Sequence, residues 1–207
     1  ERVGADVQDV ARGMGLDKRI GNKFLHSGPG YGGSCFPKDT MALVRTAQDH
    51  DADVSIVNEV VSYNTARKLS MAQRVVQAAG GSVDGKTIAV LGLAFKPETD
   101  DMRDSPSLDI VPVLVAAGAS IRAYDPKAME EARHLLPAAV TLQTSAELCL
   151  EGADIAVVIT EWNEFRALTP DQFLRSMTGT TLVDLRNIYD PSAMRDAGLT
   201  YLSIGRD

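Results

Sequence analysis

Cysteine, histidine and surplus cationic charge are scarce in this sequence, and each scarcity removes a class of function. The two cysteines, Cys35 and Cys149, lie far apart in 207 residues and cannot build a disulfide framework. His26, His50 and His134 are scattered, with no cysteine at ligand spacing, so no metal site is expected. Lysine and arginine number 21 against 28 acidic residues, a net charge of −7, which argues against a surface for nucleic-acid phosphates. No apolar run approaches about 18 residues and no signal peptide is visible, so the expectation is no membrane span and a reduced, cytoplasmic setting. What is present, 44% hydrophobic and 24% charged residues, suits one or two globular domains with a real core.

The densest chemistry lies in residues 28–40, Gly-Pro-Gly-Tyr-Gly-Gly-Ser-Cys-Phe-Pro-Lys-Asp-Thr. Its glycines leave no Cβ to hold a ligand away from the backbone, so this loop is expected to wrap a substrate closely. Pro37 suits the first turn of a helix, which places Cys35 just outside a helix N-terminus. Unpaired N–H groups there, with Lys38 nearby, favour a thiolate nucleophile. The alternative for Cys35 is a small buried hydrophobe. Gly28, Gly30 and Gly33 also spell G-x-G-x-x-G, but the polar, aperiodic residues 19–27 before them are no buried strand, so a dinucleotide fingerprint is rejected.

Along the chain, residues 3–15 predict a short helix, 37–50 a second, and Val54 to Ala79 a long third whose apolar stripe is interrupted at Asn64 and Thr65. A helix of that length is expected to link domains and to pack against a second copy, the alternative being a connector within one chain. Gly80-Gly81 and Asp84-Gly85 mark a boundary. Strands are then expected at Thr87–Leu93, Ser120–Tyr124, 140–142, Ile155–Thr160, Thr181–Leu185 and Thr200–Ile204. Helices are expected from a Ser105-Pro106 cap to Ala117, at 127–136, near 145–151 and around Phe173. The alternation predicts an α/β, doubly wound parallel sheet. Ligands of such sheets sit beyond the strand C-termini, which nominates Phe95, Lys96, Asp125, Glu161, Trp162 and Arg186. Lys96 and Arg186 suit a phosphate, and each is also readable as a surface cation. Cys149, between Leu148 and Leu150, reads as core filler.

The segment Gly28-x-Gly-Tyr-Gly-Gly-Ser-Cys-Phe-Pro-Lys-Asp39 resembles the cysteine signature of the UDP-glucose/GDP-mannose dehydrogenase family. Val3-Gly-Ala-Asp-Val7, Gly15-Leu-Asp-x-Arg-Ile-Gly21, Phe24-Leu25, Gly92-Leu-Ala-Phe-Lys-Pro97 and Asp100-Asp-Met-Arg-Asp-Ser-Pro106 extend the resemblance. It implies a central helical dimerisation segment over residues 1–82 and a Rossmann-like, UDP-sugar-binding C-terminal domain over 83–207. The family's NAD-binding domain, with its catalytic lysine and asparagine, would precede Glu1. The chain is therefore expected to be a fragment, inactive alone.

The resemblance further implies oxidation of the C6 alcohol of UDP-glucose to a carboxylate with two NAD, through a thiohemiacetal and thioester on Cys35. Asp39 would orient or deprotonate water; on charge alone it equally complements a helix N-terminus. Arg19, a surface arginine on its residues alone, would reach a neighbouring subunit's sugar site. Phe24, Leu25 and His26 would line the nucleotide pocket, with Gly28, Tyr31 and Gly32 following them around the substrate. Phe95, Lys96 and Arg186 would contact the sugar nucleotide, and Gly33 and Arg103 the NAD. Ser34 stands where relatives acting on UDP-N-acetylmannosamine typically carry histidine, and the Gly-Tyr-Gly-Gly form favours UDP-glucose over GDP-mannose. A nucleotide-sugar binding or dimerisation module without chemistry is the reading from another class.

Overall fold

The computed structural model describes residues 1–206. Asp6 accepts a hydrogen bond from the Gln8 N–H at 2.7 Å and caps α1 (Val7–Gly15). The helix expected from residue 3 thus begins four residues later, because the cap decides the start and the apolar Val3 before it stays exposed. Cys35 is the N-cap residue of α2 (Phe36–Asp49), with Pro37 in the first turn. The long third helix is α3 (Ser55–Ala78), 24 residues and therefore roughly 36 Å long.

After Gly80 and Gly81, both at positive φ, strands and helices alternate. They are β1 (Thr87–Leu91), α4 (Ser107–Ala116), β2 (Ser120–Tyr124), α5 (Met129–Leu135), β3 (Thr141–Leu142), α6 (Ala146–Leu150), β4 (Ile155–Val158), α7 (Asn163–Arg166), α8 (Pro170–Ser176), β5 (Thr181–Asp184), α9 (Pro191–Asp196) and β6 (Thr200–Ser203). The six strands form one sheet in the order β3-β2-β1-β4-β5-β6, every pairing parallel. This is the doubly wound, Rossmann-like arrangement, with its switch of direction between β1 and β4.

Both sheet faces are covered, which is why the strands read as continuous apolar runs. On one face Ile88, Val90, Val157 and Val183 pack with Ile110 and Leu114 of α4 and with Met71, Ala72 and Val75 of α3. On the other, Ala89, Leu91, Ala156 and Val158 meet Cys149, Phe165 and Phe173. Each fully buried aliphatic or aromatic side chain contributes about 1.5–3 kcal/mol. The second half of α3 therefore belongs to the sheet's core, while its first half carries the helical segment.

β1 ends at Leu91, not at Leu93, because the chain turns at Gly92 (φ +95°) and the Leu93 and Ala94 N–H groups bond the Asp125 carboxylate at 2.7 and 3.0 Å. Pro106 is the N-cap residue of α4, and Ser105 Oγ accepts from the Ser107 N–H at 3.3 Å while its hydroxyl donates to the Leu93 carbonyl at 2.6 Å. Among the described residues, no helix is long and apolar enough to cross a membrane. Nor does any cluster of three or more His, Cys, Asp or Glu among them have the arrangement to hold a metal ion.

Candidate active site

Three strand ends and two loops converge at the sheet's switch point. Arg186, two residues beyond β5, donates from Nε to the Ile159 carbonyl at 2.7 Å and from Nη2 to the Phe95 carbonyl at 3.0 Å. Its guanidinium therefore ties the C-terminal ends of β1, β4 and β5 together. Asp184 holds the turn that delivers it, accepting from the N–H groups of Arg186, Ile188 and Tyr189 and from the Tyr201 hydroxyl. Burial pushes the Arg186 pKa below its usual value, and the charges of Glu161 and Asp184 oppose that shift. The group stays cationic, because an arginine starts far above neutrality.

Glu161 Oε2 lies 3.0 Å from Arg186 Nε, yet it is buried and accepts no hydrogen bond among the described residues. The pair is thus held by charge alone. Arg186 Nη1 has no hydrogen bond among the described residues and lies beneath Gly28, where an added Cβ would come within 2.9 Å of it. One donor of a fixed, buried cation is left for a ligand.

Arg186 lines a cavity of about 610 Å³ whose walls also include His26, Gly28 and Tyr31 from the loop and Glu59, Tyr63 and Asn64 from α3. A volume of this size suits a small organic ligand. The loop then crosses to a second cleft of about 560 Å³, where Ser34, Cys35 and Lys38 face Arg103 and Asp104. Cys35 is exposed, and Ser34 Oγ lies 3.6 Å from its sulfur. The glycines between the two spaces serve contacts within the protein. Gly33 (φ +90°) is buried, its N–H donates to the Arg103 carbonyl at 2.8 Å, and a Cβ there would come within 2.7 Å of the Phe95 ring. Gly32 stands against the Asp104 carbonyl. The sequence assigned these glycines to ligand approach; a neighbouring loop takes up the space they leave.

The structure thus gathers His26, Gly28, Tyr31 and Arg186 on one cavity, and Cys35 and Arg103 on the cleft beside it. Phe95 packs between them over Gly33, with the exposed Lys96 ammonium 5.2 Å from its ring centroid. Leu25 is half-buried and lines a smaller hollow with Gln8 and Asn22. Other candidates lie outside both spaces. Arg19 is fully exposed in its pair with Asp17 at 2.6 Å, Phe24 is 96% exposed, and Asp39 pairs with Lys38 at 3.4 Å. Asp125 is wholly structural, accepting five hydrogen bonds, from the backbone N–H groups of Leu93, Ala94, Lys127 and Ala128 and from Trp162 Nε1. Burial pushes the Cys149 thiol up to about 12, which suits a core side chain. The residues that sequence reasoning passed over are Asn64 and Lys68, buried on α3 against the loop. The signal available for them was a polar break in an apolar stripe.

Known proteins share this architecture along the whole chain. Residues 1–66 match the UDP-glucose/GDP-mannose dehydrogenase family, central domain, and residues 89–191 match the same family's UDP binding domain. The chain is 57% identical over 206 residues to a UDP-glucose 6-dehydrogenase of Rhizobium meliloti (strain 1021), all of this chain against 47% of that protein. It is 44% identical to UDP-glucose 6-dehydrogenase YwqF of Bacillus subtilis (strain 168), again over 47% of the relative. The chain therefore spans about half the length of the curated relatives it matches. Among solved structures, a UDP-glucose dehydrogenase from Pyrobaculum islandicum superposes with a TM-score of 0.83 at 33% identity, over 97% of this chain and 44% of that one. An NDP-N-acetyl-D-galactosaminuronic acid dehydrogenase from Methanosarcina mazei Go1 gives 0.85 at 26%, over 100% and 45%. With matches to both domains across a Rossmann-like sheet and its cysteine-bearing helical segment, the chain belongs to the UDP-glucose/GDP-mannose dehydrogenase family.

Proposed function

We propose that this chain supplies the sugar-nucleotide site and the covalent nucleophile of an NAD-dependent dehydrogenase that oxidises UDP-glucose to UDP-glucuronate. The observation that carries this reading is the buried Arg186, with Nη1 unbonded among the described residues, lining a cavity walled by the loop that leads to an exposed Cys35. A fixed guanidinium suits one oxygen of a diphosphate, and the largely apolar walls suit a base and sugar. The names of the relatives at 57% and 44% identity favour UDP-glucose. GDP-mannose is the alternative.

Cys35 attacks the C6 carbonyl carbon of the intermediate aldehyde, forming a C–S bond while the carbonyl oxygen takes a proton. Removal of two electrons from this thiohemiacetal leaves a thioester, which water cleaves to the carboxylate and the free thiol. NAD, when bound, supplies the electron acceptor, two molecules for the four-electron change. Lys38 and Arg103 line the cleft of Cys35; each is held in an exposed surface pair, Lys38 with Asp39 and Arg103 with Asp101, and would turn to a dinucleotide's diphosphate when NAD is bound. Asp39 orients the hydrolytic water from the first turn of α2. A division at residues 82 and 83 separates the helical segment from the sugar-nucleotide domain.

Pairing of two copies covers the apolar side chains that α3 leaves in water, Ile56 and Tyr63 among them, and brings Arg19 and Phe24 to a neighbour's site. The chain by itself is expected to produce no NADH. The test is protection of the thiol: UDP-glucose slows alkylation of Cys35 saturably and GDP-mannose does not. Equal protection by both moves the substrate to the alternative, and protection by neither sinks the assignment of the cavity.

A further inference from the structure

Cys35 and Arg103 face one cleft although they come from segments distant in sequence; the Gly33 N–H joins the segments directly through the Arg103 carbonyl at 2.8 Å, and two polar side chains of α3 hold them from behind. Asn64 and Lys68 are four residues apart, so they stack on one helix face. Both are buried where the apolar stripe leads one to expect hydrophobes. Asn64 Oδ1 accepts from the Tyr31 N–H at 2.9 Å, and its Nδ2 donates to the Tyr31 carbonyl at 3.0 Å. Both backbone groups of one loop residue are thereby bonded, as a neighbouring strand would bond them. The Lys68 ammonium donates to the Asp104 carbonyl at 2.9 Å and lies 3.2 Å from Asp109 Oδ2. A buried amide and a buried ammonium are costly unless their partners are in place. The loops also leave no slack: a Cβ on Gly30 would come within 2.8 Å of Lys68, and one on Gly32 within 2.3 Å of the Asp104 carbonyl.

We propose that Asn64 and Lys68 are positioning residues, which hold the cysteine loop and the turn at residues 100–105 in one register so that the Cys35 thiol and the Arg103 guanidinium share a cleft. The proposal deepens the function proposed above and rests on it for the meaning of Cys35. The register itself does not depend on the substrate.

Iodoacetate and iodoacetamide alkylate the same thiol, one as an anion and one neutral, so the ratio of their rates at Cys35 reads the positive charge within reach. Arg103→Met removes that cation and is expected to lower the ratio roughly two- to threefold, the order of effect that one unit charge across a cleft exerts through water. Asn64→Leu and Lys68→Met leave Arg103 intact. Each is expected to bring the ratio down to the Arg103→Met value while circular dichroism shows the fold retained. Lys68→Arg, which keeps a buried cation, restores it. Should Asn64→Leu not fold, Asn64→Ser makes the same comparison without adding charge, because its single short hydroxyl cannot serve both the N–H and the carbonyl of Tyr31.

An unchanged ratio in folded Asn64 and Lys68 variants overturns the proposal, as does a ratio in the unsubstituted chain equal to that of Arg103→Met. UDP-glucose protection separates the two readings. A chain that UDP-glucose fails to protect, but whose ratio responds to these variants, keeps the positioning residues and loses the assigned substrate; the converse result does the reverse.

Discussion

Replacing Arg186 with Met separates what this residue does for the fold from what it does for a ligand. The substitution removes hydrogen bonds to the Ile159 and Phe95 carbonyls, each contributing about 1 kcal/mol, and leaves the Glu161 carboxylate without its counter-ion. Breaking a buried pair from one side costs about 3–5 kcal/mol, and Glu161 keeps enough contact with water to put this case at or below the low end. The total comes to about 4 kcal/mol, or a fall in Tm of roughly 8–16 °C for a chain of this size. Loss of a charged hydrogen bond to a phosphate costs a further 1.5–3 kcal/mol in affinity, roughly 10- to 150-fold in Kd. The double variant Arg186→Met with Glu161→Gln removes both charges. It is expected to recover much of the stability and none of the affinity, read by thermal melts and by titration with UDP. Recovery of affinity together with stability would refute the assignment of Arg186 as the anion's donor.

Gly33→Ala is expected to destabilise the chain by about 1–3 kcal/mol, since its Cβ meets the Phe95 ring at 2.7 Å on a backbone at positive φ. Pairing it with Phe95→Leu relieves only the steric part, which melts of the single and double variants will show. The Asp101 carboxyl is held below its ordinary 3.8 by hydrogen bonds from the Arg103 side chain. Its share of stability is therefore full above that value and is lost as pH falls through the lowered one, so Asp101→Asn flattens the acid limb of a stability–pH curve below about pH 5. At pH 8, mass spectrometry of the native chain after a short iodoacetamide pulse is expected to show label on Cys35 alone, because burial keeps the Cys149 thiol protonated. Label on Cys149 without denaturant contradicts that.

The sheet was legible because buried parallel strands announce themselves as apolar runs with turn signals between them, and β2 has the bounds expected from its residues. The two helices beyond the boundary that the sequence left out, α7 and α9, span four and six residues, too few for a 3.6-residue period to register, whereas the equally short α6 showed through its apolar Leu148-Cys149-Leu150 run. Helix starts depended on caps: Asp6 moved the first helix, while Ser105 and Pro106 mark the start of α4, with the Ser105 hydroxyl also donating to Leu93. Within the site, Cys35 was legible from Pro37 and the glycines, and Arg186 from its place after a strand. What the glycines are for was not legible, because a missing Cβ looks the same whether a ligand or Asp104 and Phe95 fills the gap. Asn64 and Lys68 were hidden for a related reason. A polar residue in an apolar stripe declares a buried partner without saying which, and theirs are loops set by tertiary structure. Glu161 as the counter-ion of Arg186 likewise depends on β4 and β5 lying side by side.

Calorimetric titration of this chain with nucleotide sugars decides whether the cavity at Arg186 takes a uridine diphosphate sugar. Saturable binding of UDP-glucose and of UDP is expected, with no heat from GDP-mannose and loss of the UDP heat in Arg186→Met with Glu161→Gln. Binding of UDP-glucose undiminished in that double variant, or a preference for GDP-mannose, would contradict that expectation.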